Sequence, residues 1–306
     1  MGNACGFFSA RWANPPVSPA GLPLSAPILA LPWCSSIEIV GRVLRVSVVL
    51  ACVWLALFSV PASAGPAQSL TFALRGKVLS LSVYRPTGPP KGTVVMASGD
   101  VGWVGLAVSM ADFLSDNGYV VVGLNTRQYL TAFTSGKQHM ETQHPPADYG
   151  ALRDFLDQQH LLHRPVVLSG VSEGAALAVL AASLETNHRW IDGVITMGTP
   201  MVAELAWRWT DFTTWITKTD ASEPSFSPVD FIAQVAPVPI VMIQSTRDEY
   251  VPEKDYRKLD ATARPPKKLV LIAAADHRFT DKQPELRAQM LAALAWVAEL
   301  APRTAR

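Results

Sequence analysis

The chain has 306 residues, of which 26 are basic and 25 acidic, and only 17% are charged. Residues 1–64 hold three basic residues and one acidic residue, which leaves 23 basic and 24 acidic residues in the rest of the chain. This balance excludes an electrostatic nucleic-acid binder, which carries a strong basic excess, and an apolar content of 49% excludes an intrinsically disordered chain.

The first 64 residues contain the parts of a secretory signal. Arg42 and Arg45 precede an uncharged apolar run at 46–60, and residues 62–64 are Ala-Ser-Ala. A basic flank, a short apolar run and an A-x-A end are typical of a cleaved signal peptide, whereas a membrane-spanning helix needs about 20 apolar residues. We therefore expect cleavage after Ala64 and export to the periplasm. The alternative is an uncleaved N-terminal anchor.

Beyond the signal, at 65–306, strand-like and helix-like patterns alternate. Alternating apolar and polar residues predict a hairpin around Arg75-Gly76, with strands at 69–74 and 77–84. Further strands are predicted at 93–97, 119–124, 166–169, 191–197, 239–244 and 268–273, and helices at 104–117, 146–160, 173–183 and 285–300. Residues 125–145 are predicted as a polar loop, and 200–235 as a variable insertion or a degraded helix. The alternation predicts a single α/β domain with a mainly parallel sheet between two layers of helices.

One motif indicates a nucleophile. Gly170-Val171-Ser172-Glu173-Gly174 fits G-x-S-x-G, follows strand 166–169 and opens the next helix. In this context the serine lies on a strained strand-to-helix turn with its hydroxyl exposed, and the turn has no room for side chains at the two glycine positions. The backbone N–H of Glu173, at a helix N-terminus, would point toward a developing oxyanion. The motif therefore predicts Ser172 as a nucleophile, unless the match is due to chance.

A serine nucleophile needs a base, and the base needs a carboxylate that orients it. His277 follows the last predicted strand, and Asp248 follows the strand before it. Both would lie at the carboxyl ends of parallel strands, where open α/β sheets build their sites. We expect Asp248 to orient His277, and the adjacent carboxylates Glu249 and Asp276 are the alternatives.

A second loop is a candidate for binding the oxyanion. Residues 98–103, Ser-Gly-Asp-Val-Gly-Trp, follow strand 93–97 and precede a helix. A loop at this place would supply the second oxyanion N–H, from Asp100 or Val101, unless it is only a glycine turn. Trp103 either borders the pocket or packs beneath the helix. All three cysteines lie within 1–64 and the histidines match no metal-binding spacing, so we expect no metal and no cofactor.

These motifs and the order Ser…Asp…His resemble the α/β-hydrolase superfamily over about residues 70–300. More narrowly, SGDVGW, VVGLNTRQYL and the G-x-S-x-G motif resemble bacterial virulence proteins of the VirJ/AcvB type, although Val101 stands where that family prefers glycine. The resemblance implies an α/β-hydrolase fold and an exported serine hydrolase. Its substrate would be a small-molecule or lipid ester, such as the aminoacylated phospholipid lysyl-phosphatidylglycerol, with peripheral contact to a membrane. The residues alone leave peptides open as substrates as well. The alternative is a non-catalytic binding or assembly protein of the cell envelope.

Overall fold

Strands and helices alternate along the chain in the computed structural model, which describes residues 68–135, 138–207 and 224–301. The predicted signal peptide and its cleavage site lie outside these residues. The strands are β1 Gln68–Leu74, β2 Lys77–Tyr84, β3 Thr93–Ala97, β4 Val120–Leu124, β5 Val166–Val171, β6 Gly193–Met197, β7 Ala203–Glu204, β8 Ser225–Phe226, β9 Ile240–Ser245 and β10 Lys267–Ile272. The α-helices are α1 Leu106–Asp116, α2 Thr126–Ala132, α3 His144–Gln158, α4 Glu173–Ala182, α5 Glu253–Thr262 and α6 Gln283–Leu300.

Eight of these strands form one sheet, in the order β1-β2-β4-β3-β5-β6-β9-β10. The first two pair antiparallel across Arg75-Gly76, as the predicted hairpin requires, and β2 is also antiparallel to β4. All the other neighbours in this sheet are parallel. The prediction of a mainly parallel sheet with an N-terminal hairpin is confirmed.

Helices cover both faces of the sheet, and the central strands are therefore buried throughout. Successive side chains of a strand point to opposite faces. On β3, Val95 belongs to the core that contains Leu156 of α3 and Leu177 of α4. Its neighbour Val94 belongs to the other core, with residues of α1 and α6. Helix α4 consists mainly of small buried residues, which allows it to approach the sheet closely at the strand that precedes it.

Two helices occur where no helix is predicted. Helix α2 lies within the predicted polar loop, where the Asn125 side chain accepts a hydrogen bond from Gln128 N and caps the helix. Its polar sequence hides a short apolar face, formed by the buried Tyr129 and Leu130. Helix α5, between β9 and β10, is polar as well. Helix α2 is too short for a clear apolar period, so tertiary packing defines it. Helix α5 instead places its buried residues Tyr256 and Leu259 on one face, a helical spacing that its sequence contains.

The predicted insertion at 200–235 is described in part. Strands β7 and β8 form a separate two-stranded sheet, and the 3-10 helices Pro228–Asp230 and Ile232–Gln234 follow. Residues 208–223 lie outside the described part of the chain. Within that part, no helix is long and apolar enough to cross a bilayer.

Candidate active site

Ser172 lies on a sharp turn between β5 and α4. Its backbone has φ 53° and ψ −119°, a conformation that non-glycine residues rarely adopt. A β-carbon at Gly170 would lie 2.1 Å from the Gly174 carbonyl oxygen, and one at Gly174 would lie 2.4 Å from the Ala97 carbonyl oxygen. The two motif glycines are therefore required by close backbone contacts, as the motif predicts.

The loops after β9 and β10 bring Asp248 and His277 together. The distance from His277 Nδ1 to Asp248 Oδ2 is 2.7 Å. The same carboxylate accepts from Gln244 Nε2 at 2.6 Å and from the backbone N–H groups of Tyr250 and Val251, each at 2.9 Å. Burial raises the pKa of Asp248, but the hydrogen bonds and the charge of His277 outweigh burial and hold that pKa below its usual value. Asp248 is therefore ionised, and Nδ1 of His277 carries the proton.

The three candidate carboxylates have different contacts. Glu249 Oε2 accepts from the backbone N–H of His277 at 2.9 Å. Asp276 accepts from the backbone N–H groups of Arg278 and Thr280, at 3.1 and 3.0 Å, and thereby closes the turn after His277. Of these three, only Asp248 has a hydrogen bond to the imidazole.

The second ring nitrogen of His277 is buried and has no hydrogen-bond partner among the described residues. An unpartnered buried nitrogen is rare and often marks a functional group. Residues 197 and 198 connect this ring to the serine: Met197 O accepts from Ser172 N at 2.9 Å, and a β-carbon at Gly198 would lie 2.6 Å from His277 Cε1. Nε2 makes no hydrogen bond to Ser172 Oγ, a bond that is often long without substrate.

The loop at 98–103 lies against the nucleophile. A β-carbon at Gly99 would be 3.6 Å from Ser172 Cβ. Val101 N donates to Asp100 Oδ1 at 2.9 Å, and Gly102 N donates to Gly99 O at 3.1 Å. The N–H groups of Val101 and Gly102 thus already donate to acceptors within the loop. This favours the backbone N–H of Asp100 over that of Val101 as the second oxyanion donor.

The half-buried Trp103 packs against the core beneath α1. Its indole ring occupies the space above Gly123, where a β-carbon would lie 2.2 Å from Trp103 Cζ2. The indole N–H donates to Tyr84 Oη at 3.1 Å. The side chain therefore anchors the loop to strands β2 and β4.

The side chain of Glu173 accepts a hydrogen bond from the backbone N–H of Glu204. Burial raises the pKa of Glu173 well above its usual value, and the nearby charges of Glu204 and Asp100 raise it further, although the N–H of Glu204 opposes them. This carboxyl group is one residue from the nucleophile. No group of three or more His, Cys, Asp or Glu side chains in the described part of the chain is arranged to hold a metal ion.

Four residues of this site were not singled out from the sequence: Gln244, Gly198, Tyr250 and Glu204. Gln244 had a visible signal, because it is a buried polar residue that directly follows the apolar residues 240–243 of strand β9. Tyr250 lies edge-on to the His277 ring, with the centroids 5.4 Å apart. Gly198 and Glu204 contribute through the position of their backbone atoms, which no local sequence pattern indicates.

The profile of a family described as bacterial virulence protein (VirJ) matches residues 92–296, about two thirds of the chain. The chain belongs to the VirJ family. The match includes Ser172, Asp248 and His277. Membership agrees with the resemblance that the motifs at 98–103 and 121–130 indicate.

Solved structures with the same fold are α/β-hydrolases. An esterase domain from Rhodothermus marinus is 18% identical, with a TM-score of 0.53 over 76% of this chain and 98% of that one. The α/β-hydrolase GrgF from Penicillium sp. sh18 is 12% identical, with a TM-score of 0.59 over 76% and 99%. An α-β serine hydrolase homologue from Coxiella burnetii is 17% identical, with a TM-score of 0.51 over 74% and 96%. At these identities the likeness establishes the α/β-hydrolase fold.

A curated relative is similar over a shorter stretch. The uncharacterised protein YfhR of Escherichia coli K12 is 33% identical over 72 residues, which are 22% of this chain and 25% of that protein. The alignment thus spans about a quarter of that relative.

Proposed function

We propose that this VirJ-family protein is an exported serine hydrolase that cleaves ester bonds. The observation that carries the proposal is the 2.7 Å contact between His277 Nδ1 and Asp248, which in the neutral ring places the proton on Nδ1 and the lone pair on the unpartnered Nε2. A base in this state can take the proton of a serine hydroxyl. Ser172 is the serine that the G-x-S-x-G turn presents, and residues 197 and 198 join it to His277.

In the acylation step, Ser172 is the nucleophile, and His277 first takes up its proton and then passes it on to the leaving alcohol. Ser172 Oγ attacks the acyl carbon of the ester while His277 Nε2 takes the hydroxyl proton. The carbonyl oxygen becomes an oxyanion, which the backbone N–H groups of Glu173 and Asp100 stabilise. The C–O bond to the alcohol then breaks, and the imidazolium returns its proton to the leaving alcohol. Asp248 stays ionised and holds the imidazole in the required tautomer.

Deacylation repeats the same steps with water. His277 Nε2 takes a proton from a water molecule, and the resulting hydroxide adds to the acyl carbon on Ser172. The same N–H groups stabilise the second oxyanion. Collapse of this intermediate breaks the bond to Ser172 Oγ, which recovers its proton from His277, and the carboxylic acid is released.

We further propose an aminoacylated phospholipid as the substrate, reached through peripheral contact with a membrane. Family membership supports this, together with two features beside Ser172. The side chains of Val101 and Val104 are 56% and 54% exposed, on and just after the loop that contacts the nucleophile, where they can contact acyl chains. The exposed Asp100, next to Val101 on the same loop, would attract an aminoacyl ammonium group.

A fluorophosphonate probe tests the enzymatic proposal, because it reacts with an activated serine. We expect labelling of the wild-type protein at Ser172, no labelling of Ser172→Ala, and unchanged labelling of Ser183→Ala, which alters a serine at the far end of α4. A folded wild-type protein that stays unlabelled would favour the binding or assembly protein instead.

The substrate proposal is tested with vesicles. We expect release of lysine from lysyl-phosphatidylglycerol by the wild-type protein and not by Ser172→Ala. Hydrolysis of small soluble esters without lysine release would retain the hydrolase and reject the aminoacyl lipid.

The export proposal is tested by the intact mass of the protein in the periplasmic fraction. Cleavage after Ala64 gives a mature chain that begins at Gly65. A full-length protein in the membrane fraction would indicate the uncleaved anchor.

A further inference from the structure

Residues 197–204, which we name the bridging segment, contact both Ser172 and His277. At its beginning, Met197 O accepts the backbone N–H of Ser172 at 2.9 Å. At the next position, Gly198 has φ 63°, and its missing side chain leaves the space that the His277 ring fills. A shift of this segment would therefore displace the serine and the histidine relative to each other.

The far end of the bridging segment is attached to the helix that begins immediately after the nucleophile. Glu204 N donates to a carboxyl oxygen of Glu173, the first residue of α4. Beyond this point the chain has other attachments, since Met140 N donates to Leu205 O at 3.0 Å and Trp207 N donates to Thr134 Oγ1 at 3.1 Å. The segment itself is also held at Met201, whose carbonyl oxygen accepts from Ser227 Oγ at 2.8 Å, and by the pairing of β7 with β8. The hydrogen bond to the Glu173 carboxyl links it to the nucleophile helix.

We propose that the Glu173 side chain is a positioning group that holds the bridging segment against Ser172 and works as a neutral, protonated carboxyl. The proposal rests on the function proposed above. Glu173 is half-buried, and a negative charge one residue from the nucleophile would repel the oxyanion that forms there. A neutral carboxyl can still accept the N–H of Glu204 and adds no such repulsion.

The charges around Glu173 agree with a neutral carboxyl. The carboxylates that act on it are Glu204 on β7 and Asp100 on the loop after β3, and with burial they raise the pKa of Glu173. The adjoining strands β5 and β6 contain no charged residue. Five further elements pack against α4: β3 and the 3-10 helix Ile232–Gln234 contain no charged residue, whereas α3 and the 3-10 helices Glu185–Arg189 and Pro228–Asp230 do. On Glu185–Arg189, Glu185 and Arg189 are exposed, and the half-buried His188 lies 2.8 Å from Ala182 O through its Nε2. On α3, Asp148 is bound to Arg75, and Arg153, Asp154 and Asp157 are exposed, as is Asp230 on the 3-10 helix after β8. The half-buried His144, at the start of α3, acts on Asp148.

The positioning role is tested by comparing Glu173→Gln with Glu173→Leu. Glutamine keeps an acceptor for Glu204 N and leucine does not. We expect kcat toward a small soluble ester to be about tenfold or more higher in the glutamine variant than in the leucine variant. Amide hydrogen exchange over residues 197–207 should be faster in the leucine variant only. Equal kcat and equal exchange in the two variants would overturn the role.

The protonation state is tested by pH dependence. The wild-type protein should lose kcat as the pH rises through the raised pKa of Glu173, and Glu173→Gln should not show this loss. Glu185→Gln, which removes an exposed carboxylate beyond the other end of α4, should keep the wild-type profile. Parallel profiles for the wild type and Glu173→Gln would overturn the neutral state.

Two readouts do not depend on catalysis, and they separate this proposal from the proposed function. They are the hydrogen exchange described above and the difference in Tm between wild type and Glu173→Gln as a function of pH. The raised pKa of Glu173 stabilises the wild type at low pH, and this contribution is lost as the pH rises through that value. If the wild type hydrolyses no ester but both readouts behave as expected, the positioning role stands and the hydrolase proposal fails. A Tm difference that is independent of pH would reject the neutral carboxyl even in an active enzyme.

Discussion

Asp148 and Asp248 are both buried aspartates with a basic partner, but their surroundings differ. The Asp148 side chain, on α3, is 5% exposed and accepts from Arg75 Nη2 at 2.7 Å and Tyr129 Oη at 2.6 Å. The Asp248 side chain is fully buried and has four donors: the His277 ring, an amide side chain and two backbone N–H groups. The pKa of Asp148 is raised and that of Asp248 is lowered.

The difference shows what keeps a buried carboxylate charged. At Asp148, burial outweighs the hydrogen bond of Tyr129 and the charge of Arg75, and the pKa rises. At Asp248, the opposing interactions outweigh burial, because donors fixed in the loop are added to the histidine. Dipoles held in place by the fold stabilise a charge without having to reorganise. We infer that the loop after β9 stabilises an ionised carboxylate at Asp248. The contacts of Asp148 instead hold neighbouring elements of the fold together.

The attachment at Asp148 joins separate elements. Arg75, in the turn between β1 and β2, also stacks over the Phe133 ring with its guanidinium carbon 3.7 Å from the ring centroid. One side chain thus connects the hairpin to α3 and to the end of α2. We expect changes here to affect stability and changes at Asp248 to affect catalysis.

The largest effect is expected from Asp248→Asn. The amide retains the shape of the side chain but favours the wrong imidazole tautomer, so kcat should fall by about 10³- to 10⁴-fold while the protein stays folded. The matched control is Asp276→Asn, which alters the adjacent loop carboxylate and should have a kcat close to that of the wild type. The measurement is kcat on a soluble ester with circular dichroism as the test of folding. Equal losses in the two variants would contradict the contrast between these carboxylates.

A smaller effect is expected from Gly99→Val. A β-carbon at Gly99 makes only ordinary contacts, with Ser172 Cβ at 3.6 Å, so the added methyl groups would fill the oxyanion space with little strain. We expect kcat to fall by about 10- to 100-fold with little change in Tm. Gly102→Val is the comparison: Gly102 has φ 96°, and a β-carbon there would lie 3.1 Å from Asn125 Oδ1, so Tm should fall first. Unchanged kcat in folded Gly99→Val would remove this loop from the active site.

Arg75→Ala should act on stability alone. Removal of the guanidinium leaves Asp148 buried with one donor fewer and also removes the contact with Phe133. Since the Arg75 side chain is 34% exposed, we expect the free energy of unfolding to fall by about 2 kcal/mol. Urea denaturation gives this value, and kcat of the folded protein should match the wild type. A large loss of kcat at full folding would mean that the two regions are coupled.

The finest test uses pH. Because the pKa of Asp148 is raised, its stabilising contribution is complete below about pH 3.8 and is lost as the pH rises through the folded-state value. For Asp248 the contribution is present above about pH 3.8 and is lost as the pH falls through its lowered value. The Tm of wild type minus that of Asp148→Asn should therefore decrease with pH, and the corresponding difference for Asp248→Asn should increase. Two differences with the same sign of slope would reject the contrast between the aspartates.

The hairpin, the buried strands and the turn at Ser172 could be predicted from the sequence because each depends on residues close together in the chain. An apolar run of the right length predicts a buried strand, and glycines on both sides of a serine predict a tight turn. The predictions failed at α2, whose short apolar face of Tyr129 and Leu130 lies among polar residues and is defined only by the core it packs against.

The sequence by itself determined which segments carry Ser172, Asp248 and His277, since each follows a recognisable strand. The tertiary structure decided which of three carboxylates contacts the imidazole and that Glu173 accepts a hydrogen bond from Glu204. These contacts join residues that are remote in the chain, and their distances depend on how the loops pack over the sheet. Local sequence patterns indicate which polar residues lie near the site. Only the packed structure determines which of them come within hydrogen-bond distance of each other.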